Sequence, residues 1–228
     1  MYNRPRPPQP RPLRPTDVLT PAAAGTAAAA SLDIIGQDAG NAAVQEWINR
    51  LRSKDDAIRG PAWQDAARFG APAVKPLAEV LRDADFEVAR AAKRALWRIV
   101  RHAGRPKASA EAAAVVGELT PLLAAGPAHL RREVLQMLSE IGGAEVVGDI
   151  AALLSHEELR EDARQTLERI PGKASLAALK NALASAPEEF RYALAESLRA
   201  RGEKSDTYPS GRRTPAKQTT VRPVAADK

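Results

Sequence analysis

Four arginines, Arg90, Arg94, Arg98 and Arg101, recur at spacings of 4, 4 and 3 residues. On a helix that spacing stacks them into one stripe. Each guanidinium offers a planar fork of N–H donors that fits phosphate or carboxylate oxygens. Trp97 and Lys93 flank the stripe, and Arg105 and Lys107 follow it. Basic residues with an aromatic alongside are the composition of a phosphate-contacting surface. The stripe does not persist along the chain. Positions equivalent to Arg90 are Arg132, Glu161 and Tyr192, and those equivalent to Arg94 are Gln136, Gln165 and Glu196. A groove that follows a duplex stays basic from end to end, so a protein partner is expected ahead of a nucleic acid.

A second candidate lies at the N-terminus, where Arg4, Pro7 and Pro10 spell R-x-x-P-x-x-P. Such a segment matches a polyproline-helix ligand for an aromatic groove. Other chemistry has little material. Cysteine is absent and the three histidines, His102, His129 and His156, are isolated from one another. No thiolate site, ligand cluster, nucleophile–base pair or phosphate loop is present, so no catalysis, metal or cofactor is expected. No stretch approaches the roughly 18 apolar residues that span a bilayer, and the opening residues do not read as a secretory signal. A cytoplasmic location is expected.

The elements that must position the stripe are helices. Hydrophobic residues make up 44% of the 228 positions and aromatics only 4%. Ala and Leu dominate the apolar fraction, and both lose little on entering a helix. Five segments repeat. Their first helices carry apolar residues at i, i+3, i+7: Val44/Trp47/Leu51, Val74/Leu77/Leu81, Val116/Leu119/Leu123, Val147/Ile150/Leu154 and Leu176/Leu179/Leu183. The closing leucines are 30, 42, 31 and 29 residues apart. Second helices repeat i, i+4, i+8, i+11: Ile58/Ala62/Ala66/Phe69, Val88/Ala92/Leu96/Ile99, Leu130/Val134/Leu138/Ile141 and Leu159/Ala163/Leu167/Ile170. The fifth reads Phe190/Leu194/Leu198/Arg201, and the charge at its end suits a closing repeat with no neighbour on its outer face.

The punctuation has the same period. Asp or Ser in the short turn of each pair is placed to cap the second helix. Gly70, Gly104, Gly142/Gly143, Gly172 and Gly202 separate the pairs, where a left-handed residue ends a helix. Pro61, Pro76 and Pro121 are expected near helix starts, with a kink of its helix the alternative for Pro76. The long spacing marks an insertion at residues 101–112, expected to extend the preceding helix and add a loop. Trp47 is expected in the core and Trp63 part-exposed. The formal net charge of +6 is spread thinly, with 24 basic and 22 acidic residues over 41–202.

The motif D-x-x-V-(R)-x-x-A-x-x-A-L-x-x-I, present as DADFEVARAAKRALWRI, resembles HEAT-like repeats of the phycobilisome-lyase type over about residues 41–202. The resemblance implies an all-α, right-handed α-solenoid of about five helix pairs at residues 33–202. A Pro/Arg- then Ala-rich tail (1–32) and a basic tail (203–228), both expected to be disordered, flank it. It also implies a non-enzymatic protein-interaction scaffold. Three branches of such repeats do chemistry or bind DNA. Deoxyhypusine hydroxylases use several His-Glu pairs, of which this chain has His156-Glu157 alone. Bilin lyases are a second branch, and no motif for that activity accompanies the repeats here. Alkylpurine DNA glycosylases bind DNA along a basic face, and the alternative reading is phosphate binding through Arg90, Arg94, Trp97, Arg98 and Arg101.

Overall fold

The computed structural model describes residues 40–124 and 126–210. The expected tail 1–32, with Arg4, Pro7 and Pro10, and most of the expected C-terminal tail lie outside these residues. Every regular element among the described residues is helical: α1 (40–51), α2 (Asp56–Gln64), α3 (Val74–Val80), α4 (Phe86–Ala103), α5 (Ser109–Leu119), α6 (Ala128–Ile141), α7 (Val147–Ala152), α8 (Arg160–Arg169), α9 (Lys173–Ser185) and α10 (Glu188–Ala200). None of them is long and apolar enough to cross a membrane. The chain divides into Met1–Glu46 and Trp47–Lys228. Of the first unit, the described residues 40–46 open α1, with Val44 buried. All that follows concerns the second.

The longest helix shows why these residues fold as they do. Asp85 precedes α4 in extended conformation, and its carboxylate accepts from the Glu87 and Val88 amides. That satisfies two donors the helix start would leave orphaned. Glu87 in the first turn and Arg101 and His102 in the last suit the helix dipole. Val88, Ala91, Ala92, Ala95, Leu96, Ile99, Val100 and Ala103 are buried along one side, leaving the arginines on the other. Burying a side chain such as Leu96 contributes about 2 kcal/mol.

The helices pack in two layers. Helix α3 lies on α4, α5 on α6, α7 on α8 and α9 on α10. Neighbouring pairs then meet through α2–α4–α6–α8–α10 in one layer and through α3–α5 and α7–α9 in the other. Each layer covers the apolar side of the opposite one, which no single pair could cover by itself.

Several local expectations are corrected. Asp55 caps α2 and Asp85 caps α4, but α6, α8 and α10 have no side-chain cap, and the Ser155 hydroxyl donates to the Ala152 carbonyl instead. Gly70 and Gly172 do take left-handed φ, at 53° and 104°. Gly142 does not; a Cβ there would lie 2.6 Å from the Leu138 carbonyl oxygen, so close approach is what it provides. Pro61 sits inside α2, which gives way to a 3-10 turn at Ala66–Phe69. The insertion is shared: α4 ends at Ala103 and residues 109–112 lengthen α5.

Ile58 was expected in the core and is 45% exposed, while its neighbour Arg59 is buried. Its guanidinium donates to the Ser53 carbonyl at 2.6 Å and pairs with Asp56. Arg131 and Arg191 occupy the same fourth position of α6 and α10. They donate to the Leu123 and Ala186 carbonyls, at 2.8 and 2.6 Å. These three arginines close the turn within their own hairpins, where the last carbonyls of the first helix lack partners, whereas Arg160 at the equivalent position beside α8 pairs with Glu189 of the next hairpin. In α4 the position is Ala89.

At the other end, Arg201 does not face outward. It donates to the carbonyls of Leu167 (3.1 Å), Ile170 (2.8 Å) and Gly172 (3.0 Å), and so caps the C-terminus of α8. Residues 203–210, assigned to the tail by their polarity, lie back on α9 and α10. The Arg199 guanidinium donates to the Ser205 and Tyr208 carbonyls, the Tyr208 ring meets Tyr192 edge-on at 5.4 Å, and Glu203 pairs with Lys180 at 2.9 Å.

Candidate interaction surface

The exposed side of α4 brings the predicted residues together but not on equal terms. Arg94 and Arg98 lie over the Trp63 indole of α2, with guanidinium carbons 5.2 and 5.9 Å from its centroid. Arg101 lies over Trp97 at 5.2 Å. Two indole faces thus hold three guanidiniums by cation–π attraction, each contact worth about 0.5–1 kcal/mol at an exposed site. Among the described residues, none of Arg94, Arg98 and Arg101 has a carboxylate within 4.0 Å.

The flanking cations differ. Arg90 pairs with Glu87 and lies over the exposed Phe86 ring at 5.9 Å. Lys93 pairs with Glu133 of α6, and the same carboxylate accepts from the Trp97 indole N–H at 3.3 Å. That bond sets the Trp97 ring across the α4–α6 junction. Arg105 forms a two-pronged pair with Glu111, at 2.7 and 2.6 Å. Hydrogen bonding from Arg105 holds the Glu111 carboxyl below its ordinary range. Sequence spacing therefore overstates the free charge: Arg90, Lys93 and Arg105 are matched, and three arginines of α4 are not.

Farther along the layer Arg132 and Arg164 are closed by acids. Arg132 meets the Glu158 and Asp162 carboxylates at 3.4 Å each. Arg164 is buried and donates to Glu161 (3.0 Å) and Glu168 (2.8 Å) and to the Ser197 hydroxyl. Burial opposes its charge, but the Glu161 hydrogen bond and attraction outweigh that and raise its pKa above the ordinary guanidinium value. The same bond from Arg164 holds the Glu161 carboxyl below its usual range, against the opposing effect of burial.

Trp47 is fully buried, stacked on Phe69 at 4.4 Å with its N–H donating to the Ala62 carbonyl at 2.8 Å. Trp63 is half-buried. Sequence reasoning singled out Trp63 without linking it to the stripe. Its position on the preceding second helix was the available signal, because second helices of adjacent repeats are neighbours. No group of three or more His, Asp or Glu side chains among the described residues is placed to hold a metal ion.

No family model matches the chain, and no curated protein matches it. Among solved structures it is similar to an engineered protein at TM-score 0.40 and 19% identity, covering 69% of this chain and 80% of that one. It is also similar to a designed armadillo repeat protein at TM-score 0.31 and 17% identity, covering 68% of this chain and 98% of that one. Likenesses this loose carry no argument; the helical architecture rests on the elements described above.

Proposed function

We propose that the chain is a non-enzymatic protein-interaction scaffold: a right-handed solenoid of five hairpins, of the HEAT-like, phycobilisome-lyase type, that binds through the α2–α4 face. The repeat spacing and the two-layer order of helices support the architecture. The observation that carries the function is the contrast in charge pairing. Arg132, Arg164 and Arg201 in this layer are spent on carboxylates or a helix end, while Arg94, Arg98 and Arg101 are gathered on indole faces with donors unspent.

Nucleic-acid binding is the second reading, favoured by the same arginines. Among the described residues, three arginines of the α4 stripe are free of carboxylates, so contact through that stripe would give log K against log salt a slope of about −3, weak for a duplex-binding protein. Beyond the stripe, Glu133 on α6, Glu158 in the turn before α8 and Glu161 on α8 already occupy Lys93, Arg132 and Arg164, which leaves those cations matched before a phosphate backbone could reach them. Titration of a fluorescent duplex at about 50 and 200 mM salt decides between them. The scaffold reading expects no saturable binding. Tight binding that collapses with salt, and is lost in Arg94→Glu/Arg98→Glu, overturns it in favour of the second reading.

A further inference from the structure

Resting on the scaffold reading, we infer that the α4 face binds a short extended peptide segment with carboxylates at alternate positions and an apolar side chain at one end. The geometry of α4 sets the spacing. Arg94 and Arg98 are separated by about 6 Å along the axis, and Arg98 and Arg101 by about 4.5 Å, at 1.5 Å per residue. Side chains two apart on an extended chain recur at about 6.7 Å and point to one side. Acidic residues at every second position therefore reach successive guanidiniums, which alternate positions facing the other way cannot.

The guanidiniums suit this role because of what holds them. Trp63 attracts Arg94 and Arg98, and Trp97 attracts Arg101, without a carboxylate or carbonyl among the described residues taking their N–H donors. The side chain is pre-oriented, so less freedom is lost when a carboxylate arrives. The matched pairs at Arg90–Glu87 and Lys93–Glu133 bound the free charge on two sides. A ligand of few charges fits; a polyanion overruns onto acids.

Phe86 supplies the apolar end. It is 72% exposed, the most exposed large hydrophobic side chain among the described residues. It is the first residue of α4, about 22 Å along the axis from Arg101. Seven residues of extended chain cover that distance. An exposed aromatic at the end of a charged strip is the arrangement by which a hydrophobic anchor fixes the register of a charged ligand.

The test uses the full chain and a fluorescein-labelled octapeptide of sequence Leu-Gly-Gly-Gly-Glu-Gly-Glu-Gly, with the Glu-to-Gln peptide and a duplex as competitors. Its carboxylates fall about 13 and 20 Å from the Leu, as Arg94 and Arg98 fall about 12 and 18 Å from Phe86. Anisotropy should show saturable binding of the acidic peptide, and at least tenfold weaker binding of the Gln peptide. Arg94→Gln/Arg98→Gln should weaken the acidic peptide at least tenfold, with helicity by circular dichroism unchanged. Arg132→Gln, on an already matched pair, should alter affinity less than twofold, and Phe86→Ser should weaken it severalfold. Equal binding of the two peptides, or no binding by either, overturns the inference. If the duplex also fails to bind, the scaffold reading survives that result. If the duplex outcompetes the acidic peptide, both readings fall.

Discussion

Arg94 on α4 and Arg164 on α8 occupy the same layer of the stack, and their guanidiniums meet opposite surroundings. Arg164 is buried among Glu161, Glu168 and Ser197, where each polar atom answers another and the site ties α8 to α10. Arg94 lies in the open on an indole face. Burial forces pairing, because an unpaired charge out of water is expensive. Exposure removes that force, so a surface arginine without a carboxylate is free to serve something outside the chain. The environment of each arginine, more than the total positive charge, separates scaffolding from recognition.

Breaking the buried site should have the largest effect. Glu161→Ala/Glu168→Ala leaves Arg164 enclosed without either carboxylate, and urea unfolding should register a loss of about 3 kcal/mol. Arg164→Met in the same assay should cost about 1 kcal/mol, since an apolar chain of similar length fills the space without an orphaned charge. Peptide affinity should be unchanged in both, if the two regions are as separate as described. Arg201→Ala removes the donors that cap α8, and should cost about 1.5 kcal/mol with faster amide exchange at residues 166–172.

Acid provides another separation. Glu161 has a lower pKa folded than unfolded, so its stabilising contribution is complete above the ordinary carboxylate value and lost as pH falls through the depressed one. Stability measured down through that range should fall, and Glu161→Gln should flatten the fall. Trp63→Phe is the gentlest change: the smaller face should cost under 1 kcal/mol of stability and weaken the peptide a few-fold. A stability loss comparable to that of the Glu161/Glu168 variant would erase the distinction between the regions.

The repeat was legible because burial at a fixed helical period is written directly in residue type. Val88, Ala92, Leu96 and Ile99 are all buried, as are Leu159, Ala163, Leu167 and Ile170. The pattern failed where a long side chain can serve two purposes. Arg59 buries its stem and sends its tip to a carbonyl, so Ile58 gives up the core position that hydrophobicity alone would assign it. Arg201 looked like surface and is a cap for the same reason. The arginine stripe was legible from its spacing. Its division into matched and unmatched cations was not, since Glu133 and Trp63 reach it from other repeats and such contacts have no fixed offset in sequence.

Trp63 belongs to one hairpin, while Arg94 and Arg98 belong to the next. An occupant that needs these arginines seated on Trp63 consequently favours the state in which the two are docked. Repeat proteins open locally where contacts between adjacent units give way. A ligand at a hundredfold excess over its dissociation constant would raise the cost of that opening by about 2.7 kcal/mol. Recognition and resistance to separation of these two hairpins would then rise and fall as one quantity.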